Sequence, residues 1–197
     1  MASKSSEETP RLRGILERAA KLICANGYEA TSMQQIADAC GLTKAGLYHH
    51  ITTKESLLMA IMTYGMDLFE ERVLTPANAV ADPMERLKVT MARNLDLVTD
   101  ETSKSVTIIL HEDHSLTGDA QREINARKKK YVRFLEDAFK AAIERGQVRE
   151  VDPTLAAFSM LGTMLWTYKW YRPGGAMNPE KLSAGMIDMF FRGVLPS

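Results

Sequence analysis

Cysteine occurs only at Cys24 and Cys40 in 197 residues. Two thiols are too few for a disulfide framework, which excludes the small stapled scaffolds of secreted proteins. No apolar run approaches the roughly 20 residues a membrane helix needs. The longest, Leu155 to Trp166, is broken by Ser159 and Thr163. The start, Met1 to Arg13, has no apolar segment of the signal-peptide kind, so the expected setting is the reduced cytoplasm. Glycine (12) and proline (7) are too scarce for a collagenous or low-complexity chain. Neither sign of charge is in excess, with 25 basic and 25 acidic residues. Up to Ala60 the balance is 7 basic to 6 acidic, and beyond it 18 to 19. Any nucleic-acid partner must therefore be met by a local basic face. A phosphate loop, a nucleophile motif and an acid–base pair set apart from surface charge are all missing, so no catalytic site is expected.

What is present is apolar periodicity. Hydrophobic residues make up 45% of the chain and recur at helical spacing, without a stretch of strict alternation. The class is all-α, with about nine helices. The first runs from about Pro10 to Asn26 and ends at Gly27. A second starts at Thr31 or Ser32, each with a glutamine three residues on (Gln34, Gln35) to close a capping box. Gly41 ends it, and Thr43 caps a very short helix through His49 or His50. Thr52 or Thr53 caps the next, from Lys54 to about Leu74, and a break is expected from Thr75 to Ala81. Asp82-Pro83, Asp152-Pro153 and Asn178-Pro179 each place a capping side chain ahead of a first-turn proline. Between them helices are expected from Ser103 to about His114 and from near Gly118 to Arg145. The domain division is 1–55 and 56–197.

Residues 31–58, TSMQQIADACGLTKAGLYHHITTKESLL, have the spacing of a helix-turn-helix. Ala37 is small where two helices cross, Gly41 permits the turn, and Leu42 and Leu47 anchor the second helix to the first. At about 100° per residue, Lys44, Ala45, Tyr48 and His49 share an arc of about 140°. An ammonium, a phenol and an imidazole on one side suit a major groove, where they meet phosphate oxygens and base edges.

This segment resembles TetR-type transcriptional regulators in its Thr, Ile36-Ala37, Gly41, Leu47-Tyr48 and Lys54-Glu55 ahead of Leu57. Ile51 stands where the family usually has Phe, which keeps an apolar plug. The resemblance implies base or backbone contacts from Thr43, Lys44, Tyr48 and His49, phosphate contact from Lys54, and a contact from Thr31 or Ser32. It also implies a double-stranded operator, a homodimer, and a second half that binds a ligand and pairs the subunits.

In that second half, methionines such as Met66, Met91 and Met160 are flexible enough to line a pocket or simply fill a core. Leu165 to Gly175 carries four aromatics and two cations and resembles the WYRPGG-type segment of TetR regulators that sense CoA thioesters. Trp166, Lys169, Trp170 and Arg172 are its candidate ligand contacts, with Leu110, Phe134 and Thr163 beside the methionines. The effector expected from this is small and hydrophobic, a long-chain or polycyclic acyl-CoA, with phosphates on Lys169, Arg172 or the Arg127 to Lys130 patch. A multidrug-type sensor, or an all-helical carrier or small enzyme, is the alternative. The expected dimer face is Phe158, Gly162, Ala184, Gly185, Met189 and Phe190. His111 and His114 stand at a metal-like spacing, but no Cys or further His lies nearby in sequence, so neither a metal nor a cofactor is expected.

Overall fold

The computed structural model describes residues 10–100, 104–112 and 115–193, with backbone alone at Leu110 and His111. The helices are α1 (Pro10–Asn26), α2 (Met33–Ala39), α3 (Lys44–Tyr48), α4 (Lys54–Phe69), α5 (Thr75–Asn78), α6 (Pro83–Thr99), α7 (Lys104–His111), α8 (Gly118–Glu144), α9 (Pro153–Leu165), α10 (Thr167–Trp170) and α11 (Pro179–Arg192). A π-helical turn, Glu70–Leu74, joins α4 to α5, and α9 runs through Trp166 into α10. Counted as unbroken stretches, these make nine helices, and no strand occurs among the described residues.

Local chemistry sets the helix starts. Asp82, Asp152 and Asn178 each accept a hydrogen bond from a backbone N–H three residues on, of Glu85 (3.0 Å), Leu155 (2.8 Å) and Lys181 (2.8 Å). The proline that follows each cap lacks only an N–H that would have had no helical partner. Ser32, not Thr31, caps α2, in a complete capping box with Gln35. Thr53 does the same for α4 with Ser56. After α2 the chain turns at Gly41, whose φ of +67° a side chain would resist.

The break expected from Thr75 to Ala81 is shorter than that, because the helix carries on to Asn78. A proline at position 76 removes a helical hydrogen bond and crowds the carbonyl a turn earlier. The π turn ahead of it widens the helix there, and the Thr75 hydroxyl donates to the Glu70 carbonyl at 2.9 Å.

Two large apolar cores form, with a small third cluster at Val73, Leu97 and Val106. The first gathers Leu16, Ile23, Ile36, Leu47, Ile51, Leu57 and Ile61 from α1 to α4 and extends to Ile108, Leu116 and Ile124. The second packs Leu87, Met91, Leu95, Leu135, Phe139, Met160, Met164 and Phe191 from α6, α8, α9 and α11. α4 and α7 are pressed together at Gly65, where an added Cβ would lie 2.8 Å from the Ser105 carbonyl oxygen and 2.9 Å from Ile109 Cδ1.

Candidate nucleic-acid interface and ligand cavity

α3 has five residues, too few to persist alone. Its Thr43 cap accepts from the Gly46 N–H at 3.0 Å, and Leu47 is fully buried in the first core. With that one side anchored, Thr43, Lys44, Ala45, Tyr48 and His49 are all exposed. Tyr48 keeps 39% of its surface in solvent. The exposed arc is the one the helical spacing predicts.

The flanking candidates differ. Ser32 is exposed, and its hydroxyl is engaged with Gln35. Lys54, in the first turn of α4, donates to the Glu29 carbonyl at 3.2 Å and lies 4.3 Å above the Tyr28 ring. Thr31 is a correction: it is fully buried and its hydroxyl donates to the Gly27 carbonyl at 2.7 Å. Its place behind the α2 cap turns it inward.

Sequence reasoning missed the ties between this unit and the rest. The Tyr28 N–H donates to Glu112 at the end of α7 (3.4 Å), and Glu55 accepts from the Thr117 hydroxyl ahead of α8 (2.9 Å). Tyr64 of α4 donates to Glu17 of α1 at 2.7 Å. These pairs span 47 to 84 positions of chain, so no local pattern announces them.

A cavity of about 420 Å³ lies among α4, the π turn, α6, α7, α8 and α9. Met66, Phe69, Val98, Ile109, Leu161 and Leu165 contribute apolar wall. Arg127, Lys128, Lys130 and Glu70 add charge to its lining. Arg127 pairs with Asp67 (2.6 Å) and Glu70 (3.5 Å), and Lys130 with Glu70 (3.2 Å). Two further polar groups line it: Asn94, fully buried, donates from Nδ2 to the Tyr131 hydroxyl at 3.2 Å. Burial drives the Tyr131 phenol far above its ordinary range, against the opposing Asn94 bond, so it stays a protonated donor.

Of the ligand candidates, Met66 lines this cavity. Met91 and Met160 do not; both are wholly enclosed in the second core. Phe134 packs against the Tyr131 ring, centroids 6.5 Å apart, and is absent from the lining. The Leu110 side chain and His114 fall outside the described residues, as does the side chain of His111. The aromatic and cationic residues from Trp166 to Arg172 do not line this cavity. Phe158, Leu161 and Leu165 are spaced three and four apart and turn toward the cavity. One residue further is about 100° round the helix, and Trp166 accordingly stands 64% exposed. Thr163 and Trp170 line a separate groove against α11, with Met186 and Met189. Lys169 lies in a cleft with Lys21 and Lys104. Arg172 folds back onto the carbonyls of Lys169 and Tyr171, each at 3.3 Å.

Phe158, Gly162, Ala184, Gly185 and Met189 are exposed, and a Cβ on either glycine would meet open space. Phe190 departs from that set, half-buried between Phe139 and Phe191 at 6.4 and 5.2 Å. Among the described residues no cluster of His, Cys, Asp and Glu is gathered to hold a metal, and no helix is long and apolar enough to cross a membrane.

Residues 15–61 match the family described as bacterial regulatory proteins, tetR family, and residues 80–194 match the tetracyclin repressor-like C-terminal domain. The chain is similar to AibR, as seen in its crystal structure with isovaleryl coenzyme A and operator DNA, at 58% identity and a TM-score of 0.88 over 92% of this chain and 98% of that one. It is similar to the TetR family regulator PfmR from Thermus thermophilus, at 34% identity and a TM-score of 0.81 over 90% and 97% of the two chains. It is also 24% identical to the HTH-type transcriptional repressor KstR2 of Mycobacterium tuberculosis, over 91% of this chain and 90% of that protein. With both of its halves matched, the chain belongs to the tetR family of bacterial regulatory proteins and is a helix-turn-helix transcriptional regulator.

Proposed function

We propose that the chain is a homodimeric repressor that loosens its hold on a double-stranded operator when a CoA thioester places its acyl group in the cavity. It works as a regulator and not as an enzyme, in the cytoplasm where its operator lies. In this reading residues 1–55 bind DNA and residues 56–197 bind the effector and pair the subunits. Lys44, Ala45, Tyr48 and His49 enter the major groove, while Thr43, Ser32 and Lys54 meet the backbone. The dimer forms through the exposed stripe of α9 and α11, where Gly162 and Gly185 let the helices approach closely.

One observation carries the reading: an apolar cavity with cations in its lining lies against the far end of α4, the helix that follows α3 in the chain. About 420 Å³ is toward the small end of ligand pockets, which suits a short acyl group with the nucleotide left outside. The structure of AibR with isovaleryl coenzyme A supports that class of ligand here. Phosphates arriving at the mouth compete with Asp67 and Glu70 for Arg127 and Lys130. Those acids sit on α4 and on the turn after it, so the competition loads α4 directly. α7 offers a second route, because Ile109 lines the cavity, Gly65 of α4 fixes its position, and Glu112 holds the Tyr28 N–H. AibR holds thioester and operator in one crystal, so the effector is expected to change affinity by a finite factor and not to exclude DNA.

The test is a fluorescence-anisotropy titration of the dimer on DNA from upstream of its own gene. Binding should fall steeply with salt, from counterion release, and favour a near-palindrome with half-sites about 34–36 Å apart or a multiple of that. Isovaleryl-CoA should weaken it by about 5–150-fold, and free CoA far less. An operator affinity that no acyl-CoA alters would sink the effector reading, and a folded Tyr48→Ala dimer with unchanged affinity would sink the DNA face.

A further inference from the structure

Inside the cavity wall, Asn94 presents a carbonyl oxygen that accepts a hydrogen bond from no described residue, although the side chain is 1% exposed. A leucine, with the same branched four-atom skeleton, would line the same wall without an unmet acceptor. Buried polar groups are satisfied in the great majority of cases, and each exception needs a cause. The neighbouring Tyr131 oxygen accepts from Asn94 Nδ2, which leaves its own proton to donate. Its ring is held edge-on to Phe69, centroids 4.5 Å apart, and against Phe134, so the hydroxyl has a fixed direction. The wall thus carries an unspent phenol proton and an unmet amide oxygen side by side, in a cavity otherwise lined largely by apolar groups.

We infer that Asn94 and Tyr131 read a carbonyl flanked by a hydrogen-bond donor on the part of the effector that enters the cavity. The Tyr131 hydroxyl donates to the carbonyl, and an O–H or N–H of the ligand donates to Asn94 Oδ1. This deepens the acyl-CoA reading and rests on it. A plain saturated acyl thioester supplies the carbonyl and no donor, so the donor comes either from a hydroxyl on the acyl chain or from an amide of the arm that carries the thioester. Both sources share the chemistry and differ in what else must be present.

The experiment is calorimetric titration of the full-length dimer, without DNA, with isovaleryl-CoA, 3-hydroxyisovaleryl-CoA and the two free acids. Wild type is compared with Asn94→Leu, which keeps the four-atom branched skeleton without its polar atoms, and Tyr131→Phe, which keeps the ring packing. With an acyl hydroxyl as donor, wild type prefers the hydroxylated thioester by about tenfold, and both variants lose that preference. With the arm amide as donor, wild type binds the two thioesters alike, and each variant weakens both by about tenfold. Thioesters that bind wild type and both variants equally overturn the inference and leave the acyl-CoA reading standing. Binding of the hydroxylated acid with no thioester bound keeps the pair and removes the CoA reading, whereas no binding at all removes both. Thermal melting of the ligand-free proteins separates a recognition role from a structural one: Asn94→Leu should melt no lower than wild type. A lower melt with unaltered ligand affinity in Tyr131→Phe would assign the pair to structure alone.

Discussion

Gly65→Ala adds a single methyl group at a close contact between α4 and α7, the two helices that join the DNA-reading unit to the cavity. The new Cβ would sit 2.8 Å from the Ser105 carbonyl oxygen and 2.9 Å from Ile109 Cδ1. Ile109 can rotate, but the carbonyl is backbone within α7, so the helices must separate. Overpacking of this kind costs about 1–3 kcal/mol, while alanine in a helix interior gains about 0.5–1 kcal/mol over glycine. The net expectation is a loss of up to about 2.5 kcal/mol, or up to about 10 °C in melting temperature for a chain of this size. Gly14→Ala in α1 is the matched control, because its Cβ meets nothing within 4 Å. That variant should gain the propensity term alone and melt slightly higher. Thermal denaturation followed by circular dichroism at fixed protomer concentration reads both. Equal or opposite shifts in the two variants would refute the claim that α4 and α7 meet at their closest limit here.

Three further outcomes follow from single contacts. Leu47→Ala removes the fully buried anchor of α3, and should lower stability by about 2–5 kcal/mol in urea denaturation while abolishing operator binding. Gly185→Arg fills the open space on the α11 face and should shift the protein toward monomers in sedimentation, with the helical circular dichroism spectrum retained. Although Cys24 is exposed, desolvation of its sulfur beside α7 raises the thiol to about 11, so only about one in a thousand is thiolate at pH 8; alkylation of the native protein should be slow there and accelerate about tenfold per pH unit up to that value.

Much of the fold was legible because its signals are local. A cap followed by proline at Asp82, Asp152 and Asn178 needs only four adjacent residues to declare itself, and the α3 face follows from the period of one helix. Thr31 was misread because two adjacent threonine-like caps look alike in sequence, and only packing showed which one turns inward. The π turn was not legible either, since nothing before Pro76 distinguishes Glu70 to Leu74 from ordinary helix. The cavity was the least legible part. Its wall comes from five helices, and Asn94 and Tyr131 meet across 37 positions. The segment from Trp166 to Arg172 drew attention by composition, yet helix register decides facing, and a shift of one residue from Leu165 carries Trp166 out of the cavity.

If the cavity and α3 are coupled, the linkage between thioester and operator is reciprocal. Operator affinity is measured with and without saturating isovaleryl-CoA, and isovaleryl-CoA affinity with and without saturating operator. Both ratios should be the same factor, between about 5 and 150, with the thioester weakening DNA binding and DNA weakening thioester binding. Tight thioester binding that leaves operator affinity unchanged would contradict the coupling.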